Sequence, residues 1–181
     1  MESIRKLENV IGGWLKPLPH LPDTWRKWLS ENIWWLTLIG VILEVIAIFM
    51  LVAAIFAAMA VVSTTDAFLG AYYRASVTTY SGMWYFSSIV SIIFIIATTA
   101  ITAMAIKPLQ GMKKKGWDLL FIVFLLGVAS SVVSAALSLT YNAYGLIPNI
   151  ASAIISAVIG AYFLFEIRSH FNAAKVVKKE K

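Results

Sequence analysis

The sequence predicts an all-α, polytopic membrane protein with four transmembrane helices and an N-terminal amphipathic interfacial helix. Three observations carry this. Of the 181 residues, 60% are hydrophobic and 13% charged, with a mean hydropathy of +0.82, where a soluble domain is nearer half apolar and a quarter charged. Four apolar runs stand at about 33–62, 82–106, 118–140 and 146–167. Each is long enough to cross a bilayer core, for which a helix rising about 1.5 Å per residue needs roughly twenty residues. Finally, the 15 lysines and arginines fall into three clusters, at 1–32, 107–115 and 168–181, and leave out only Arg74. Four spans put those three clusters on one side.

The domains follow: a cytoplasmic arm and Pro-rich connector at 1–32, a four-helix transmembrane domain at 33–167, and a basic tail at 168–181. In the arm, Ile4, Leu7, Ile11, Trp14 and Leu18 recur every three or four residues, while Glu2, Arg5, Lys6, Glu8 and Asn9 fall mostly elsewhere. That spacing predicts a helix too charged to span, lying flat in the headgroup region with Trp14 at the boundary. The alternative is a disordered tail, because a short helix needs something to bury its apolar face. Pro17, Pro19 and Pro22 then forbid helix and predict a stiff connector. Asp23 or Thr24 can cap a short helix over TWRKWLSEN. Trp25, Trp28, Trp34 and Trp35 mark a membrane–water interface; an aromatic ligand cage is the sharper reading of the same cluster.

Span one contains one charged residue, Glu44. Residues 63–81 are polar and tyrosine-rich and read as a loop, with a short turn around Phe68 to Tyr73. Span two ends at Lys107-Pro108. The sequence KPLQGMKKKGW is a tight basic turn, in which Lys113, Lys114 and Lys115 lie between helix breakers. Asp118 opens span three, YNAYG at 141–145 is a turn, and Pro148 sits in the first turn of span four, where its missing N–H costs little.

The charge clusters place both termini and the basic turn in the cytoplasm by the positive-inside rule, which makes the protein a multi-pass protein of the inner (plasma) membrane. The first fifteen residues include acids and lack a continuous apolar core. They do not read as a secretory signal, and 33–62 reads as a retained span. Anionic lipid headgroups are the natural partner of Lys113, Lys114, Lys115 and Arg168, with Trp14, Trp25, Trp28, Trp34 and Trp35 at the interface. The formal net charge of +6 therefore needs no nucleic acid to explain it.

Helix packing in lipid relies on small residues. Ser130, Ser134 and Ser138 recur every four residues in span three, as do Ser152, Ser156 and Gly160 in span four. They predict an antiparallel hairpin with interhelical serine hydrogen bonds; a polar pore lining is the functional alternative.

Glu44 is the candidate proton or ligand site. It lies about ten residues beyond Trp34, so about 15 Å into the membrane, where an ionised group is costly and is expected to be neutral or hydrogen-bonded. The serine rows offer neutral partners, and no cation lies at that depth. Glu166, near the cytoplasmic end of span four, is expected to pair with neighbouring lysines or arginines as a boundary anchor. The chain has no cysteine, which excludes disulfides, thiolate metal sites and cysteine nucleophiles. His20 and His170 lack ligand-spaced partners, and no hydrolase, metalloprotease or phosphate-loop motif occurs. No cofactor, metal or enzymatic activity is expected.

KPLQGMKKKGWDLLF at 107–121 and IGAYFLFEIRSHF at 159–171 resemble a pattern in uncharacterised small four-span bacterial integral membrane proteins. There a basic turn with Gly-Trp opens span three and an Ile-Arg pair closes span four. The resemblance covers roughly the second half of the chain and implies no chemistry. In architecture the chain is also similar to small multidrug-resistance exporters, which have four spans and an essential glutamate in the first. It departs from them in its long arm and large first loop. These readings lead to a non-enzymatic accessory or scaffold subunit, assembled as a homo-oligomer or with other membrane subunits. The alternative is an oligomeric proton-coupled exporter of small molecules that uses Glu44.

Overall fold

A computed structural model describes residues 2–69, 71–139 and 146–173. The turn at 141–145 and the tail beyond 173 lie outside the described residues. Every regular element among the described residues is a helix: α1 (Glu2–Leu15), α2 (Asp23–Leu69), α3 (Ala71–Gln110), α4 (Lys114–Ser138), α5 (Leu146–Glu166) and α6 (Arg168–Ala173). Four stretches are long and apolar enough to cross a membrane: Asp23–Val61, Gly82–Gln110, Lys114–Ser138 and Ile147–Glu166. Large apolar side chains on them stand outward, among them Phe49 at 71% exposure and Met50 and Phe56 at 67% each. Water would penalise such a surface, so these four helices mark a multi-pass membrane protein.

The element boundaries differ from the sequence reading in three places. The segment after the connector is not a separate short helix but the start of α2. The amides of Trp25 and Arg26 bond the Pro22 carbonyl at 2.9 and 3.1 Å, and no proline interrupts the chain from there to Leu69. Residues 63–69 and 71–81, read as loop, are helical and extend α2 and α3. Hydroxyls can be accommodated in a helix by donating to a carbonyl one turn back, as Ser63 does to Ala60 at 2.8 Å. Pro108 lies inside α3 rather than at its end.

The C-terminal cap of α3 explains how the basic turn is made. The Lys113 amide reaches the Pro108 carbonyl at 3.0 Å and the Met112 amide reaches that of Leu109 at 2.9 Å. This is the paired closure of a Schellman motif. Its left-handed residue is Met112, with φ 47°, where glycine would be usual. Gly116 then brings the start of α4 against α3: a Cβ there would stand 2.8 Å from the Leu109 backbone nitrogen.

The chain divides into two compact units. Unit 1 comprises 1–38, 101–124 and 155–181; unit 2 comprises 39–100 and 125–154. Unit 1 has a conventional core of Ala105, Leu109, Trp117, Phe121, Ala161, Leu164, Ile167 and Phe171. In unit 2 the buried residues among those described are serines: Ser87, Ser88 and Ser138.

Candidate functional site

The polar groups of unit 1 gather where α5 gives way to α6. Helix α5 closes at Glu166, Ile167 forms a turn, and α6 begins at Arg168. This break gives the two neighbouring charges different partners. Glu166 is 6% exposed and collects the donors of the Pro-rich connector. His20 Nδ1 lies 2.7 Å from its Oε1, the Leu21 amide donates to its Oε2 at 3.1 Å, and Arg26 Nε stands 3.7 Å from Oε2. Arg26 also pairs with Asp23 on its own helix. A buried carboxylate is tolerable only with such compensation.

The connector folds back for a reason written in its prolines. They supply carbonyls but no amide donors, so donors must come from outside. The Tyr162 hydroxyl provides one, donating to the Pro19 carbonyl at 2.6 Å.

Arg168 turns the other way, to α1, where its guanidinium pairs with the buried Glu8. It also lies over two rings, 5.6 Å from the centroid of Trp117 and 5.8 Å from that of Phe165. Trp117 is the centre of the aromatic core. It stacks on Phe121 at 5.4 Å and 9°, meets Phe165 edge-on at 5.7 Å, and donates its indole N–H to the Leu164 carbonyl at 2.8 Å. That carbonyl belongs to the last turn of α5, where helical partners run out. Gly12 lets α1 approach, since a Cβ there would touch Phe165 at 3.0 Å.

Between α1, the connector and the α5–α6 break is a pocket of about 530 Å³. Lys16, His20, Tyr162, Phe165, Glu166 and Arg168 contribute to its wall. Among the described residues no group of three His, Cys, Asp or Glu could hold a metal ion.

In unit 2, Glu44 accepts a hydrogen bond of 2.7 Å from the Thr99 hydroxyl of α3. The neutral partner is therefore a threonine of the second span, not a member of the serine rows. Within those rows, Ser138 is buried and donates to Ala135, and Ser152 is exposed and donates to Asn149, each on its own helix. Ser156 is exposed, Ser130 and Ser134 are half-buried, and a Cβ added at Gly160 would lie 3.7 Å from the Phe124 ring.

Among the predicted headgroup contacts, Arg168 is engaged as described, Lys114 stands 4.0 Å from Asp118, and Lys113 and Lys115 are exposed. Trp14, at 73%, and Trp25 and Trp28 are exposed, the last two edge-to-face at 6.2 Å. Trp34 and Trp35 are half-buried, and Trp35 donates to Asn32 at 2.8 Å. The expectation for Glu166 was a neighbouring lysine or arginine; its neighbour Arg168 pairs with Glu8 instead, and Glu166 is met by His20, the Leu21 amide and Arg26. The signal available was the proline run, whose acceptor-rich backbone must be held by a donor elsewhere. Comparison with family models, curated proteins and solved structures finds no match.

Proposed function

We propose that this is a non-enzymatic accessory or scaffold subunit of the inner membrane, with both termini and the basic turn in the cytoplasm. The observation that carries this reading is how the acids and bases of unit 1 are used. Glu166, Glu8, Arg26 and Arg168 hold the arm and connector in place and leave the apolar side chains Leu7, Val10 and Trp14 of α1 outward. Helix α1 turns Glu8, Ile11, Gly12 and Leu15 inward, and the side it leaves outward mixes Leu7, Val10 and Trp14 with Arg5, Lys6 and Asn9. The headgroup region suits it, and the outward tryptophans at 25 and 28 fit the same boundary.

The test is migration on blue-native gels. Extracted gently from native membranes, the chain is expected to run in a larger species than the same chain reconstituted alone. Breaking the α1 attachment with Glu8→Ala should release it from that species. Identical migration of native and reconstituted protein, whatever the variant, would sink the subunit reading. Reporter fusions at Arg74 and Lys114 test orientation, which requires opposite faces.

The second reading, a proton-coupled exporter, is favoured by one observation: Glu44 has a neutral hydroxyl partner. Proton-driven efflux from liposomes, lost in Glu44→Gln, is its requirement; absence of any flux removes it.

A further inference from the structure

We propose that the pocket at the α5–α6 break is a binding site for a phosphate group, such as that of an anionic phospholipid headgroup. This rests in part on reading unit 1 as the headgroup-facing part of the protein.

The charge balance of the wall favours an anion. The wall carries the cations of Lys16 and Arg168 and the carboxylate of Glu166, and since Arg168 is paired with Glu8 the cation left over is Lys16. The Glu166 carboxylate is already occupied, Oε1 by His20 and Oε2 by the Leu21 amide, with Arg26 beside it. Its capacity to repel an incoming anion is correspondingly reduced. Lys16 has no ion-pair partner among the described residues. Arg168 is pinned by Glu8 and two aromatic rings, yet its Nε–H has no acceptor. A positioned guanidinium and an unpaired ammonium are groups that proteins use for phosphate. His20, with Nδ1 committed to Glu166, can offer its other ring nitrogen, and the Ser169 hydroxyl lies in the same wall.

The apolar part of the wall distinguishes this pocket from a bare patch of charge. Phe165 and Tyr162 line it, and the backbone of Gly13 leaves open space, with no atom within 4 Å of a Cβ built there. A volume of about 530 Å³ is within the usual range for small-molecule sites. The pocket is large enough for a phosphate with its glycerol.

Native mass spectrometry of the full chain in detergent tests this, with phosphatidic acid, phosphatidylglycerol or phosphatidylcholine added, and inorganic phosphate as a soluble competitor. Anionic lipids are expected to be retained in preference to phosphatidylcholine. Lys16→Ala should lower retention about tenfold, the value of one charge-assisted contact. Gly13→Phe fills the open space without changing charge and should lower it similarly. Lys115→Ala, outside the pocket, should have no effect. Loss of lipid on adding phosphate upholds the site and identifies its specificity as phosphate itself; retention against phosphate upholds it as a headgroup site. Binding of phosphate through Lys16 with no phospholipid retained would keep the anion site and discard the headgroup-facing reading of unit 1. Equal retention of all three lipids, or equal losses in Lys16→Ala and Lys115→Ala, would overturn the proposal.

Discussion

The two units solve the problem of a stable interior in opposite ways. Unit 1 buries large aromatic and aliphatic side chains, with Trp117 and Phe121 each at 1% exposure, and surrounds them with ion pairs. Unit 2 turns its large apolar side chains outward and keeps serines inside. The first is the arrangement of a soluble domain, where burial of apolar surface provides the drive. The second belongs to lipid, where apolar surface gains nothing by burial and small residues allow helices to come close. Hydroxyl use agrees with this. Ser88 and Ser91 donate to Trp84 and Ser87 on their own helix, and Ser138 to Ala135. These side chains occupy little space and carry no unmet donor.

The comparison predicts that substitutions in unit 1 cost far more than those in unit 2. Trp117→Ala should be the most damaging, at about 3–5 kcal/mol for truncating a large buried aromatic. It also leaves the Leu164 carbonyl without its donor. Trp117→Phe keeps most of the volume and should cost about 1–3 kcal/mol, the cost of an unmet buried polar group. Glu166→Ala should cost about 1–3 kcal/mol, because it leaves the Leu21 amide without its acceptor while Arg26 keeps Asp23. It has a second readout: the connector should become a site of protease cleavage near Lys16. Thermal unfolding in detergent measures all three. A small shift for Trp117→Ala would mean that the core of unit 1 is not what holds it together.

The turn between α3 and α4 gives a finer pair. Gly116→Ala pushes a methyl to 2.8 Å from the Leu109 nitrogen, a backbone atom that cannot swing aside, and should cost about 1–3 kcal/mol. Four residues earlier the sign reverses. Met112 holds a left-handed conformation at φ 47°, which costs a side-chain-bearing residue about 1–2 kcal/mol. Met112→Gly should therefore stabilise, by about 1 kcal/mol or less once the added freedom of the unfolded chain is counted. One position rejects a side chain through contact and the other through backbone conformation, and the two variants separate those causes.

The span count was legible because it depends on run length and on where charges stop, both one-dimensional properties. The site in unit 1 was much less so. Glu166 was visible as an interfacial acid, but its partners lie 145 and 146 residues away at Leu21 and His20, and no local periodicity reports such a pairing. Glu8 read as one more polar residue of an amphipathic arm. That it is buried against Arg168 follows from the break at Ile167, which periodicity did not reveal. The helical nature of 63–69 was hidden for a different reason. Its serine and threonines favour turns in water, and a polar composition was read as a loop.

Glu44 and Thr99 offer the sharpest test within unit 2, and the smallest expected change. Thr99→Val keeps the shape and removes the hydroxyl that donates to Glu44 at 2.7 Å. Interhelical hydrogen bonds between side chains in membranes average about 0.6 kcal/mol and reach about 1.7. A neutral Glu44 can turn its own proton to another acceptor, so the loss should stay near the lower figure. An ionised Glu44 would be deprived of a donor in a largely apolar setting, and the loss should exceed the upper one. The double variant Thr99→Val with Glu44→Leu, which leaves no acceptor at position 44, closes the cycle. A coupling energy near zero means that the two residues merely adjoin. A coupling well above about 1.7 kcal/mol means that the carboxyl carries charge there, which is the condition the exporter reading needs at some point in its cycle and the scaffold reading never needs.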